Sequence, residues 1–418
     1  MKLVTLLSMT ALTAGCVATS DSGEVAAQGV GSDSSAASGS AAPSPTVKPA
    51  NPAFVKWLDL VKETDPQIGE LYYAYYDTSK SSPWFLSTAV SAQVLEYMLA
   101  TGDTARAEVI ADSLLGWQYD GTSAIATRVR GAFPSEIERN ASTGEFEAEY
   151  LYDTDDNLVI CEALLELYDA THQPRYLTAA TGIGTWIRDV MVHGETYGVL
   201  VTSLGAPMRS VTDQGNFDNT IPVGATLIGL PTLKRLSART GDASFANVAS
   251  SAFAFLRQGQ EADGAIDDHY DPGYPAQPFS QSRFVAYEPG AVVADDSIRG
   301  AIGLYEGGAT AQVGAFLGWL KRGDGGIPGY LDLTNGGGFF PSDTTPYFDV
   351  VSSGLYAALA TRVANGEATA AQAFENGKQA ANGGWFWGAR EDNGAQIDSN
   401  QATITGLAAL MDLSPASL

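Results

Sequence analysis

Histidine and cysteine are scarce in this chain of 418 residues, which holds three of the first and two of the second. The histidines, His172, His193 and His269, are not spaced as a metal site, and one cysteine pair cannot build a disulfide framework. Basic residues are thin as well: 23 Lys and Arg face 48 Asp and Glu, a net charge of −25. Such a field repels nucleic acid, anionic lipid and polyanionic glycans and leaves a neutral or cationic partner favoured. Adaptation to a saline medium, where a dense acidic surface maintains solubility, explains the same charge. No Walker loop, nucleophile elbow, HExxH or paired CxxC is present, so the sequence announces no phosphate-loop, serine-hydrolase or zinc-protease chemistry. No cofactor is indicated.

The chain begins with one basic residue, Lys2, an apolar run from Leu3 to Leu12, and the small residues Thr13, Ala14 and Gly15 before Cys16. That pattern predicts a signal peptide, with an apolar run too short for a permanent bilayer span. Leu12 to Cys16 resembles a bacterial lipobox, which implies lipidation of Cys16 and a cell-envelope location, periplasmic or outer-surface, with membrane contact only through that anchor. Ordinary secretion and a short uncleaved anchor are the alternatives. Residues 17–50 are rich in Ser, Ala, Gly and Pro and read as a flexible tether. Residues 51–418 read as the folded domain, a monomer. Cys161 lies in an apolar helical stretch and reads as a packed small hydrophobe.

Past the tether one grammar recurs at irregular intervals: a Gly- and aromatic-rich loop, polar residues, an apolar helix, a short turn and a second helix. The first helices of six pairs are expected to begin near Ser82, Asp155, Asp218, Asp295, Phe348 and Ser399, most of them capped by Asp, Asn or Ser. Second helices follow from Thr104, Pro174, Ala243, Thr310 and Ala368, and the segment from Pro52 to Thr64 closes the last pair. First helices are apolar almost all round, as for helices buried on both sides, and second helices keep a charged face. Thr101-Gly102-Asp103 and Thr240-Gly241-Asp242 supply a helix-ending glycine and a helix-starting aspartate. Short turns on one side and long loops on the other describe an all-α fold, an (α/α)6 toroid with small β-hairpins in its rim loops. An open solenoid is the alternative, but solenoid repeats keep a fixed period.

Asp155-Asp156 precedes the apolar stretch of the second inner helix. Adjacent carboxylates in a helix N-terminal field have pKa values pushed apart, which acid and base roles require. Tyr152 to Met191, with this pair and the LLELYDATHQPRYL stretch, resembles the bacterial alpha-1,6-mannanase family of glycoside hydrolases. The resemblance implies an (α/α)6 toroid in which Asp155 and Asp156 supply nucleophile and general acid/base. Asn157, Leu158 and Val159 stand where that family favours Trp. Asp295-Asp296 opens the fourth inner helix, roughly opposite the second, and Asp218 and Asp349 begin the helices beside it. All are expected at one funnel mouth, though each is also a plain capping residue. Trp84, Phe133, Tyr152, Tyr270, Tyr287, Phe340, Tyr347, Trp385 and Trp387 are candidates to stack on sugar rings. Gly383-Gly384-Trp385-Phe386-Trp387-Gly388 stands out because its glycines are expected to leave the rings uncovered. The leading expectation is a glycoside hydrolase on a neutral oligo- or polysaccharide. A polysaccharide lyase, with His269 and Tyr270 as base and Arg283 or Arg299 as neutraliser, and a non-catalytic glycan-binding lipoprotein are the alternatives.

Overall fold

The computed structural model describes residues 48–121, 126–149, 151–192, 205–212, 214–271, 284–286, 289–322, 326–340, 346–391 and 394–410. The expected leader, Cys16 and most of the expected tether lie outside them, as do His193, Arg283 and Tyr287.

Among the described residues the α-helices are α1 (Pro52–Leu58), α2 (Thr88–Ala100), α3 (Thr104–Leu115), the single turn α4 (Ala126–Val129), α5 (Thr154–Thr171), α6 (Pro174–Trp186), α7 (Gly224–Thr240), α8 (Ala243–Leu256), α9 (Ala294–Glu306), α10 (Thr310–Trp319), α11 (Val350–Arg362), α12 (Ala368–Asn376) and α13 (Thr403–Leu410). Helices α2, α5, α7, α9, α11 and α13 touch in that order, and α13 returns to α2. Each of α2, α5, α7, α9 and α11 packs on the helix that follows it in sequence. The ring is therefore closed, with inner and outer helices alternating, and the toroid expectation holds. Ring closure joins the two ends of the folded part: Phe54 of α1 abuts Gly406 of α13, and Trp57 Nε1 donates to Gln401 Oε1 at 2.9 Å.

The inner helices are buried almost throughout because both of their faces meet other helices. Residues 88–98 of α2 and 350–360 of α11 are buried without a break. Small residues let the inner helices approach. Pro231 lacks the N–H that would bond the Leu227 carbonyl, and a side chain on Gly303 of α9 would come within 2.6 Å of that oxygen. The short turns are as the sequence predicts: Gly102 and Gly241 are left-handed, and Asp103 and Asp242 accept from the Arg106 and Ser244 N–H groups. Cys161 is fully buried in this packing.

Several helix starts differ from expectation, for one reason. Each inner helix is led in by a short strand: Ser82–Ser87, Leu151–Asp153, Ile221–Pro222, Ala291–Val293, Tyr347–Asp349 and Asn400–Ala402. Hence α2 starts at Thr88 rather than Ser82, α7 at Gly224 rather than Asp218, and α13 at Thr403 rather than Ser399. The segment from Pro52 is helical only to Leu58, and Lys62–Asp65 pairs as a strand with the next segment. The lead-in strands pair with strands from other rim loops, so the rim is a crown of small sheets, one of them six-stranded. The backbone of each helix N-terminus is thus fixed from outside the helix.

Candidate active site

The acids of the crown are positioned by where these strands end. Asp153 closes its strand and holds the N-cap position of α5 without a side-chain capping bond. Asp155 and Asp156 therefore fall inside the first turn, and neither is the cap. Asp295 and Asp296 take the same places in α9, behind Val293. Asp349 does cap α11, its Oδ1 accepting from the Ser352 N–H at 2.6 Å. Asn157, where the mannanases favour Trp, is fully buried; its amide accepts from Phe133 N and donates to the carbonyls of Phe133 and Asp153. It locks a neighbouring rim loop to the start of α5.

These carboxyls feel one another across helices. Burial, then the Asp155 charge, pushes Asp156 up to about 7, opposed by Ser135, Arg299 and Arg209. Burial and Asp295 push Asp296 up to about 7, and Asp155, on a different helix, adds to the effect. Burial and Asp295 hold Asp349 at about 7 against its bonds from Ser352. Asp153 is raised well above the usual carboxylate range by burial and then by Asp155 and Asp156, and its buried Oδ1 has no hydrogen-bond partner. Arg299 pairs with Asp295 at 3.6 Å and lowers Asp156, Asp296 and Asp349 together. Arg209 acts on Asp153, Asp156 and Asp296. Acids from α5, α9 and α11 thus share one electrostatic neighbourhood with two guanidinium groups, although Asp155, Asp156, Asp295 and Asp349 keep some exposure to water. In the ring α5 and α9 are separated only by α7, so the two acid pairs are next-but-one neighbours rather than opposite.

The other expected site residues divide. Trp84 is half-buried, stacked on Tyr75 with centroids 4.5 Å apart, and its Nε1 donates to Asn400 Oδ1 at 3.3 Å. Trp387 is half-buried, its Nε1 donating to Asp398, and it meets Tyr347 edge-on with centroids 5.3 Å apart. Asn400 Nδ2 donates to Asp398 Oδ2, so one turn holds both indoles. Tyr75 was not foreseen; burial and the charges of Asp295, Asp349 and Asp398 raise its phenol, which puts this aromatic group beside the acids.

Trp385 is instead core: it is 1 % exposed, packs on Phe54 and donates to the Glu375 carbonyl. The glycines before it do not uncover its ring; they make room for Ala53 and Trp57, whose atoms lie within 2.2 Å of where their side chains would begin. Tyr152 and Phe133 are likewise buried. Asp218 is exposed in a strand of its rim loop, accepting from Thr220, and starts no helix. Tyr270 packs against Phe255 and Phe284. His269 is buried, and burial lowers it to about 4, so it is neutral near pH 7.

No protein-family model and no curated protein matches the chain. Solved structures share its fold. An alpha-amylase from Clostridium perfringens is 14% identical with a TM-score of 0.63, over 87% of this chain and 98% of that one. The cellobiose 2-epimerase from Spirochaeta thermophila DSM 6192 is 13% identical with a TM-score of 0.63, over 86% and 92%. A beta-1,3-1,4-glucanase from Paenibacillus sp. X4 is 14% identical with a TM-score of 0.56, over 90% and 96%. The chain therefore has the toroid fold of these proteins along nearly their whole length.

Proposed function

We propose that the protein is a glycoside hydrolase acting on a neutral oligo- or polysaccharide, with Asp155 and Asp156 as its reacting carboxyls. The observation that carries this reading is the meeting of first-turn acids from α5 and α9 around Arg299 and Arg209. Asp156, near 7, is half protonated at neutral pH and suits the general acid that delivers a proton to the leaving oxygen. Asp155, its neighbour in the first turn of α5, serves as nucleophile or base. Asp295, Asp296 and Asp349 shape the field, and Trp84, Tyr347 and Trp387 offer ring faces to sugars. The net charge of −25 disfavours an anionic glycan. The mannanase resemblance makes an alpha-1,6-mannan one neutral substrate to include. Lipidation at Cys16 would place this activity at the cell envelope.

A second reading, sugar epimerisation or isomerisation, is favoured by His269, a neutral imidazole acted on by Arg209, and by the fold likeness to an epimerase. It ranks second because His269 is only 8 % exposed, whereas Asp155 and Asp156 keep more contact with water.

The test is incubation of the purified protein with neutral glucans, mannans and galactans, followed by product analysis. New reducing ends are expected, falling by about 10²- to 10⁴-fold in Asp155→Asn and Asp156→Asn variants. Hydrolysis surviving in both variants refutes the assignment. Rearranged sugars without cleavage favour the epimerase, ultraviolet-absorbing unsaturated products a lyase, and binding without turnover a carrier.

A further inference from the structure

The chain between α8 and α9 forms a tight hairpin. Gln260 bridges Ile266, the Glu261 N–H donates to the Ala265 carbonyl at 2.8 Å, and the Gly264 N–H donates back to the Glu261 carbonyl at 3.0 Å. The hairpin is clamped to α10: Gln260 Nε2 donates to the Gln312 carbonyl at 2.9 Å, and left-handed Gly264 presses on Ala315 so closely that a side chain there would meet its backbone. Its shape is therefore set before any ligand arrives.

This rigid hairpin brings acids together with no base among them. Glu261 and Asp263 are exposed, and with Asp267 they line an open cleft of about 360 Å³ to which Leu333 contributes from another rim loop. Asp267 is 5 % exposed, and its Oδ2 receives no hydrogen bond. Asp267 is thus a buried carboxyl that shares the cleft lining with two further acids, Glu261 and Asp263. A buried carboxylate without a hydrogen-bond partner, with two more acids on the same cleft, needs a proton or a cation to offset its charge. The cleft has room for several waters at about 30 Å³ each, enough to complete the shell of a large, oxygen-seeking ion. Magnesium, which holds a small octahedral water shell and takes protein ligands reluctantly, fits such an open carboxylate pair less well.

We propose that this hairpin is a calcium site, with Glu261 and Asp267 as direct ligands, Asp263 at its rim and water completing the coordination. Binding there staples the α8–α9 connection to α10 and stabilises the folded ring without entering the reaction, so the site stands independently of the proposed activity.

Thermal unfolding of the full-length protein, stripped with chelator, tests it with calcium or magnesium chloride added at matched ionic strength. Calcium raises the midpoint by several degrees, and more than magnesium does. Glu261→Gln, at an exposed position that leaves folding intact, and Asp267→Asn both lose the response. Glu138→Gln, in the separate acidic group formed with Glu136 and Glu149, retains it. No calcium response in the wild type, an equal response to magnesium, or a response surviving in Glu261→Gln overturns the proposal.

Discussion

Single carboxyls in this molecule are held where water alone would not leave them neutral. Asp156 sits near 7 where a free aspartate sits near 3.8, chiefly because burial penalises its charge. A carboxyl with a raised folded pKa costs nothing below the unfolded value and its full penalty above the folded one. The penalty of Asp156 thus grows as pH rises from about 4 to about 7. Asp156→Asn, which never ionises, is expected to unfold at higher urea than the wild type at pH 8 and to lose that advantage at pH 4. Paired urea titrations at the two pH values check this, and an equal advantage at both would exclude relief of a buried charge. The adjacent acids were legible because Asp-Asp before an apolar helix is a local pattern. Asp153, Arg209 and Tyr75 were not, since they join the site from strands and loops whose sequences carry no sign of what they face. Trp385 misled because glycines beside an aromatic ring signal either exposure or close backbone approach, and local sequence does not distinguish the two.

Among the elements, the alternation of inner and outer helices could be read from apolar periodicity and turn residues. The starts of α7 and α13 could not, because two to three residues of strand are too short to show a period, nor could that of α2, because the strand Ser82–Ser87 has no inside–outside alternation. Asp218 resembles a cap, yet it turns the chain through Thr220 ahead of the Ile221–Pro222 strand. What brings the backbone of α9, and with it Asp295 and Asp296, close against α7 is glycine packing: a side chain on Gly224 would strike the Asp296 carbonyl, and one on Gly303 would strike Leu227. Gly303→Ala is expected to destabilise by about 2 kcal/mol or more through overpacking. Gly314→Ala in α10, where nothing lies within 4 Å, should stabilise by about 0.5 kcal/mol through helix propensity. Urea midpoints of the two variants moving in the same direction would contradict this account of the inner-helix contact.

At the scale of the whole molecule, ring closure makes the site. The acids lie on α5, α9 and α11, and only a closed ring points those helix starts at a common space. The sequence implied such a ring from six unequal hairpins, while the crown of strands that fixes each start depends on pairing between distant loops. The most direct measurement of this convergence follows the carboxyl carbons of Asp296 by NMR during a pH titration, in the wild type and in Asp155→Asn. If the two helices face one space, Asp296 titrates near 7 in the wild type, chiefly through burial and Asp295, and lower once the smaller contribution of the Asp155 charge is gone. An Asp296 that titrates near 3.8, or is indifferent to that substitution, contradicts it.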